Sequence, residues 1–184
     1  MPETHTIKVT VYDINELSDK ARENALNRLS ESQSEIYNPL DLYSINEIAE
    51  KKGLKFNAIY WNSYPWYNTG GDVDVMDVKK LLKAVNLDLR TKAAREIIEN
   101  GVIIKTVRES FNSDAGYSTD DETLKMIQET EVKIDTLISS LADDYVKQVR
   151  EDYEYVTGEE YLTEMCADMG YKFLENGRIW NGTP

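Results

Sequence analysis

The chain has 184 residues and a mass of 21.2 kDa, is 41% hydrophobic and 30% charged, and carries a net charge of −13. That size and balance suit one folded domain with a sizeable core and exclude a chain that is disordered throughout. One histidine (His5), one cysteine (Cys166) and no Gly-rich phosphate loop leave no material for a histidine-dependent triad, a Cys/His zinc site or a nucleotide fingerprint. No apolar run reaches the length of a membrane span, and the opening MPETHTIKV has neither a basic nor an apolar leader region. The expectation is a protein of a reducing cytoplasm with no membrane association, no cofactor and no internal disulfide.

Taken in chain order, Ile7, Val9 and Val11 alternate with Lys8, Thr10 and Tyr12, the pattern of a half-buried N-terminal strand. Ser18 is placed to cap a helix whose apolar face is Ala21, Ala25, Leu26 and Leu29. Asn38-Pro39 predicts the start of a second helix, which Lys51, Lys52 and Gly53 close. Leu54 to Trp61 reads as a strand and GGDVDVM as its returning partner, a central hairpin. Asp77 caps a helix bearing Val78, Leu81, Leu82 and Val85, and Thr91 opens another that stops at Asn100-Gly101. Residues 102–108 fit a strand or a buried helical turn equally well. Residues 109–122 read as a mobile acidic loop.

A long helix follows over about 122–153, with Ile134, Ile138, Leu141, Tyr145 and Val149 at helical spacing and Ser139-Ser140 as a place where it could break. TGEE (157–160) reads as a capping box for a last helix carrying Tyr161, Leu162, Met165 and Cys166, ended by Gly170. Asn176-Gly177 between two short apolar runs is a two-residue hairpin signal. The fold class is therefore α+β: one domain over 1–184 in which a small, mostly antiparallel sheet packs with five to six helices.

The acidity is local. From Glu109 to Asp168 there are 17 acidic against 4 basic residues, a net −13, while the remainder has 17 of each. Within the long helix, Glu129–Lys133, Asp143–Lys147 and Lys147–Glu151 are i,i+4 pairs on a solvated face. The surplus lies at the two ends. Glu109, Asp114, Asp120, Asp121 and Glu122 precede the helix, and Glu154, Glu159, Glu160, Glu164 and Asp168 follow its main body, neither group with a base among them. Such clusters repel nucleic acid and suit a basic groove on a partner.

Asp72, Asp74 and Asp77 form a DxDxxD run. Two readings stand: a divalent-metal site as in metal-dependent nucleases, or the solvent face of a strand whose Val73 and Val75 point inward, followed by a helix cap. Cys166 falls on the apolar side of its helix, as a buried and inert thiol would. The stretch YWNSYPWY (60–67) gathers five aromatics. Side chains alternate along a strand, so Tyr60 and Trp61 face opposite ways, and Trp61 with Tyr60 or Phe56 is the expected core. Pro65 cannot donate to a ladder, so pairing should lapse near it and leave Tyr64, Trp66 and Tyr67 in an apolar turn.

The opening VYDINELSDKARENAL and the ending REDYEYVTGEEYLTEMCADMGYKFLENGRIW resemble the two ends of a family of small acidic uncharacterised phage and prophage proteins. Glu16, Leu17, Ser18, Ala21, Arg22, Glu23 and Ala25 carry the first match. Glu154, Tyr155, Thr157, Glu159, Glu160, Tyr171, Phe173 and Gly177 carry the second. The aromatic run and the 110–121 segment depart from that pattern. The resemblance implies a mobile-element origin, in a class whose members include inhibitors of host defence and antitoxin-like proteins. It implies a non-enzymatic, anti-CRISPR-like inhibitor of a host nucleic-acid-targeting complex. The partner would be a protein or ribonucleoprotein with a basic groove, with no direct contact to nucleic acid. Tyr64, Trp66, Tyr67, Asp114, Asp120, Asp121, Glu122, Glu154, Glu159 and Glu160 are the expected contact residues. The alternatives are an antitoxin or regulatory partner binding one cognate protein, and a nuclease using Asp72, Asp74 and Asp77.

Overall fold

The computed structural model describes residues 8–39, 41–63, 66–101 and 119–182. The fold is α+β, with six α-helices and one two-stranded antiparallel sheet among the described residues. By its internal contacts the chain divides into a terminal unit, Met1–Pro39 with Glu151–Pro184, and a central unit, Leu40–Arg150.

In the terminal unit a 3-10 turn (Ile14–Glu16) leads into helix α1 (Asp19–Ile36). Ser18 caps α1 as its sequence predicts, its hydroxyl accepting from the Ala21 N–H. Ala21, Ala25 and Leu29 bury the predicted face against Leu162, Met165 and Cys166, with Ile14, Leu17 and Phe173 completing the core. The N-terminal strand is reduced to one bridge, in which Tyr12 and Phe173 exchange both backbone hydrogen bonds at 2.9 Å; residues 8–11 carry no regular pairing. The C-terminal hairpin forms with a three-residue loop in place of the expected two-residue one. Leu174 N–H donates to the Arg178 carbonyl across Glu175, Asn176 and Gly177, and Gly177 N–H closes a turn on Leu174. A two-residue Asn-Gly loop needs positive φ at both positions, and only Gly177 has it, at 81°.

The central unit opens with helix α2 (Tyr43–Lys51), four residues after the predicted start at Pro39. Asp41, not Asn38, supplies the local acceptor, taking the Tyr43 N–H at 3.0 Å. Gly53 (φ 80°) ends the α2 region, and its carbonyl accepts from the N–H groups of Met76 and Asp77. A Cβ here would lie 2.2 Å from the Asp77 carbonyl oxygen, so only glycine lets the two backbones meet.

Strand β1 (Leu54–Ser63) pairs antiparallel with β2 (Trp66–Val75). The ladder continues to the Ser63–Trp66 pair, so Trp66 and Tyr67 belong to a strand and not to a turn. Paired on both sides of residues 64 and 65, the backbone has no lapse at Trp66 to release its side chain. Tyr64 and Pro65 lie outside the described residues.

Between Phe56 and Ala58 the register slips by one residue, and a second irregularity between Tyr60 and Trp61 restores it. The first slip is a bulge at Asn57. Leu54 and Phe56 point into the core before it, Ile59 does so after it, and Asn57 is exposed. Asn46 on α2 holds the bulge in place, accepting from the Phe56 N–H at 2.7 Å and donating to the Phe56 carbonyl at 2.9 Å.

Helices α3 (Val78–Ala84) and α4 (Lys92–Asn100) are capped as expected by Asp77 and Thr91, and Gly101 follows α4 at φ 84°. Helix α5 (Asp121–Val156) runs unbroken through Ser139-Ser140 and starts inside the stretch expected to be loop, with Asp121 and Glu122 in its first turn. It buries Ile127, Ile134, Ile138, Leu141, Tyr145 and Val149. The remaining segments expected as loop or ambiguous, 102–118, lie outside the described residues.

Helix α6 (Glu159–Asp168), in the terminal unit, lacks the expected capping box: its N-cap is Gly158, with no side-chain bond. The Thr157 hydroxyl donates back to the Tyr153 carbonyl at 2.7 Å and is thereby committed to the end of α5. Gly170 (φ 65°) stops α6, with Tyr171 N–H reaching back to the Cys166 carbonyl.

Candidate interaction surfaces

The DxDxxD run is laid out as the structural reading expects. Asp72 and Asp74 are exposed on β2, Asp74 accepting from the Asn57 amide at 3.0 Å, while Val73 and Val75 take the opposite face. Asp77 caps α3. Among the described residues no three His, Cys, Asp or Glu side chains come together as a metal site. Cys166 is buried beside Leu162 and Met165, and burial pushes its thiol above the ordinary value.

The bulge decides what the hairpin shows. Trp61 turns toward α5 and meets Tyr145 edge-on, ring centres 6.0 Å apart, while burial raises the Tyr145 hydroxyl pKa. Of the two candidates offered beside Trp61, Phe56 is core and Tyr60 is exposed. Tyr60 (50% exposed) and Tyr67 (48%) share the outer face with Asn62, whose amide approaches the Tyr67 hydroxyl at 3.4 Å. Trp66 is on the opposite face and half-buried. The exposed aromatic face of the hairpin is thus that of Tyr60 and Tyr67, and Tyr60, weighed in the sequence as a core residue, belongs to it. Alternation alone misplaces such residues, because one extra residue flips the parity of everything after it.

The acidic residues divide by what already holds them. Asp120 accepts from the Thr123 N–H at the start of α5 and pairs with Lys92 at 2.7 Å, so it joins α4 to α5. The Lys92 ammonium holds its carboxyl well below the ordinary aspartate value of 3.8. A depressed folded-state pKa contributes stability above the unfolded value and loses it as pH falls below it. Asp120→Ala should therefore lower the urea midpoint at pH 7 and flatten its decline below about pH 4; an unchanged acid limb would contradict this.

Asp121 and Glu122 are exposed in the first turn of α5, where carboxylates suit the positive end of the helix dipole. Asp114 lies outside the described residues. Glu154 is exposed near the end of α5. Glu159 pairs with Arg22 of α1 at 2.9 Å, which ties α6 to α1.

The remaining acids form a pattern. Glu160, Glu164 and Asp168 occupy i, i+4 and i+8 of α6, all exposed, and none has a cationic partner among the described residues. Leu162, Met165 and Cys166 bury the other side of the same helix. Like charges four apart on a helix cost a few tenths of a kcal/mol per pair. Asp168 also lies in the last turn, where the dipole disfavours it and where α6 has no basic residue. Asp168 thus weakens α6 at its last turn, whereas Glu160 in the first turn suits the positive end of the dipole. Glu164 and Asp168 were visible in the sequence as acids; their four-residue spacing was the signal that grouped them with Glu160. The terminal unit as a whole holds 15 acidic against 6 basic residues, −9 of the chain's −13, with 19 against 15 in the central unit.

Among the described residues no helix is long and apolar enough to cross a membrane. Compared with known protein families, curated proteins and solved structures, the chain has no match.

Proposed function

We propose that the protein is a phage-encoded, non-enzymatic inhibitor of a host nucleic-acid-targeting defence complex, acting in the host cytoplasm. It occupies a basic groove through the acidic terminal unit, and the Tyr60–Tyr67 face of the hairpin adds an apolar contact. The observation that carries this reading is the Glu160–Glu164–Asp168 stripe, an exposed row of like charges with no cationic partner among the described residues and with Asp168 at the unfavourable end of its helix. Four helical residues rise about 6 Å, so the row offers one charge per about 6 Å. Duplex DNA presents one per about 1.7 Å, so the stripe imitates a nucleic acid only coarsely and competes by charge rather than by shape. Aromatic anchors are what such an interface needs beyond charge, since charge mainly sets approach and specificity.

The test is inhibition of cleavage by a panel of purified CRISPR effector nucleases and restriction enzymes. An inhibited enzyme should be protected by prior loading with nucleic acid, and inhibition should weaken steeply with salt. The triple variant Glu160→Gln, Glu164→Gln, Asp168→Asn should lose at least tenfold in inhibition while its thermal midpoint stays level or rises. No inhibition across the panel, or undiminished inhibition by the variant, would overturn the reading.

A further inference from the structure

The acidic chain carries one face of the opposite sign. Lys51 and Lys52 at the end of α2 and Lys80 and Lys83 on α3 surround a depression floored by Ile48 and Ala84. These lysines come from segments about 30 residues apart in the chain, and the Gly53 carbonyl bonds to Met76 and Asp77 hold the two segments together. None of the four has a carboxylate partner among the described residues, although Glu47 stands four residues before Lys51 and could have paired with it. Asp77 is already committed to capping α3.

The ordinary role of such lysines is to offset the negative ends of helices. Two helix C-termini amount to about −0.5 charge each and Glu47, one turn from Lys51, adds one negative charge, which leaves a surplus of about two positive charges on this rim. The net charge of the whole chain does not cancel that surplus. Exposed charges are screened beyond about 8 Å at physiological ionic strength, so an approaching group feels the rim and not the −13.

We propose that this face is a docking site for the phosphodiester backbone of a nucleic acid strand, contacted without regard to sequence. The lining argues for that occupant over an acidic protein. It contains no Arg, Asn or Gln to read base edges and no aromatic to anchor a protein, and lysine is depleted at protein interfaces while serving as an ordinary phosphate contact. The depression lies wholly in the central unit, so the inference is independent of the acidic stripe. It also revises the expectation of no nucleic-acid contact, which rested on charge averaged over the chain.

The experiment is fluorescence anisotropy of a short labelled single strand of mixed sequence titrated with the full chain at low salt. Four lysine contacts predict a log–log salt slope of about −3, and Lys80→Gln with Lys83→Gln should halve that slope and weaken binding about tenfold. Lys125→Gln with Lys133→Gln on the exposed face of α5 removes the same charge and should leave binding within twofold. Absence of binding at low salt, or an equal loss in both double variants, would overturn the proposal. So would displacement of the strand by an oligoglutamate peptide that binds the rim more tightly, since the face would then be a protein-docking surface.

Discussion

Gly177→Ala is expected to destabilise the terminal unit by about 2–5 kcal/mol, whereas Gly170→Ala should cost only about 1–2 kcal/mol. Both glycines have left-handed backbones, at 81° and 65°, so both substitutions meet the same conformational penalty of about 1–2 kcal/mol. They differ in their surroundings. A Cβ at Gly170 would meet nothing within 4 Å. At Gly177 it would lie 2.1 Å from the Ala21 carbonyl oxygen and 3.2 Å from the Ala25 nitrogen, both backbone atoms of α1. Backbone in mid-helix does not yield as a flexible side chain would, so the hairpin must lift away. That displacement disturbs Phe173, which is fully buried and bridges Tyr12 and Ile179. The measurement is a pair of urea titrations, with Trp180 as reporter because it donates its N–H to Lys172 within the same hairpin. Equal and small losses in the two variants would show that the hairpin does not rest on α1.

The parts of the fold that could be read from the sequence are those settled within one turn of chain. Ser18, Asp77 and Thr91 cap helices because a short side chain reaches an N–H three residues ahead, whatever the rest of the protein does. The apolar spacing of α5 likewise reports one helix face directly. What was misread depends on partners farther away or on a choice between two local bonds. Thr157 could have capped α6 but bonds to Tyr153 instead, and the TGEE pattern does not distinguish the two. The N-cap of α2 is Leu42, with no side-chain bond, and Asp41 takes the Tyr43 N–H from one residue further out, a signal less conspicuous than Asn38-Pro39.

The candidate surfaces divide in the same way. The acids of 154–168 are plain in the sequence, but only the structure removes Glu159 from the set by giving it Arg22, 137 positions earlier in the chain. The basic rim was hidden because Lys51 and Lys52, read alone, do no more than complete the dipole of α2. Only their junction with α3 makes four charges converge. Counting charge by sequence segment finds the acidic surface, since one helix and its flanks build it, and misses the basic one.

Asn46→Ala is expected to cost about 2–4 kcal/mol and to change what the hairpin displays, because two backbone groups of Phe56 lose their partners together. Asn46 accepts from one and donates to the other, acting for that residue as a neighbouring strand would. The bonds fall beside the Asn57 bulge, and the bulge sets the direction of every later side chain in β1. With it, Ile59 and Trp61 turn inward and Tyr60 outward. A strand that slipped to remove the bulge would turn Tyr60 inward and expose Ile59, so the variant should weaken any contact made by the Tyr60–Tyr67 face. Asn46→Asp separates the two bonds. The introduced carboxylate still accepts from the Phe56 N–H but opposes the Phe56 carbonyl, which it can satisfy only when protonated. Its folded-state pKa is therefore raised, and the stability of this variant relative to the parent should be greatest at low pH and fall as pH rises through that value. Equilibrium unfolding at pH 4 and pH 7, followed through the fluorescence of Trp61 against Tyr145, gives both numbers. A relative stability that instead rose with pH would mean that only the bond from Phe56 N–H holds the bulge.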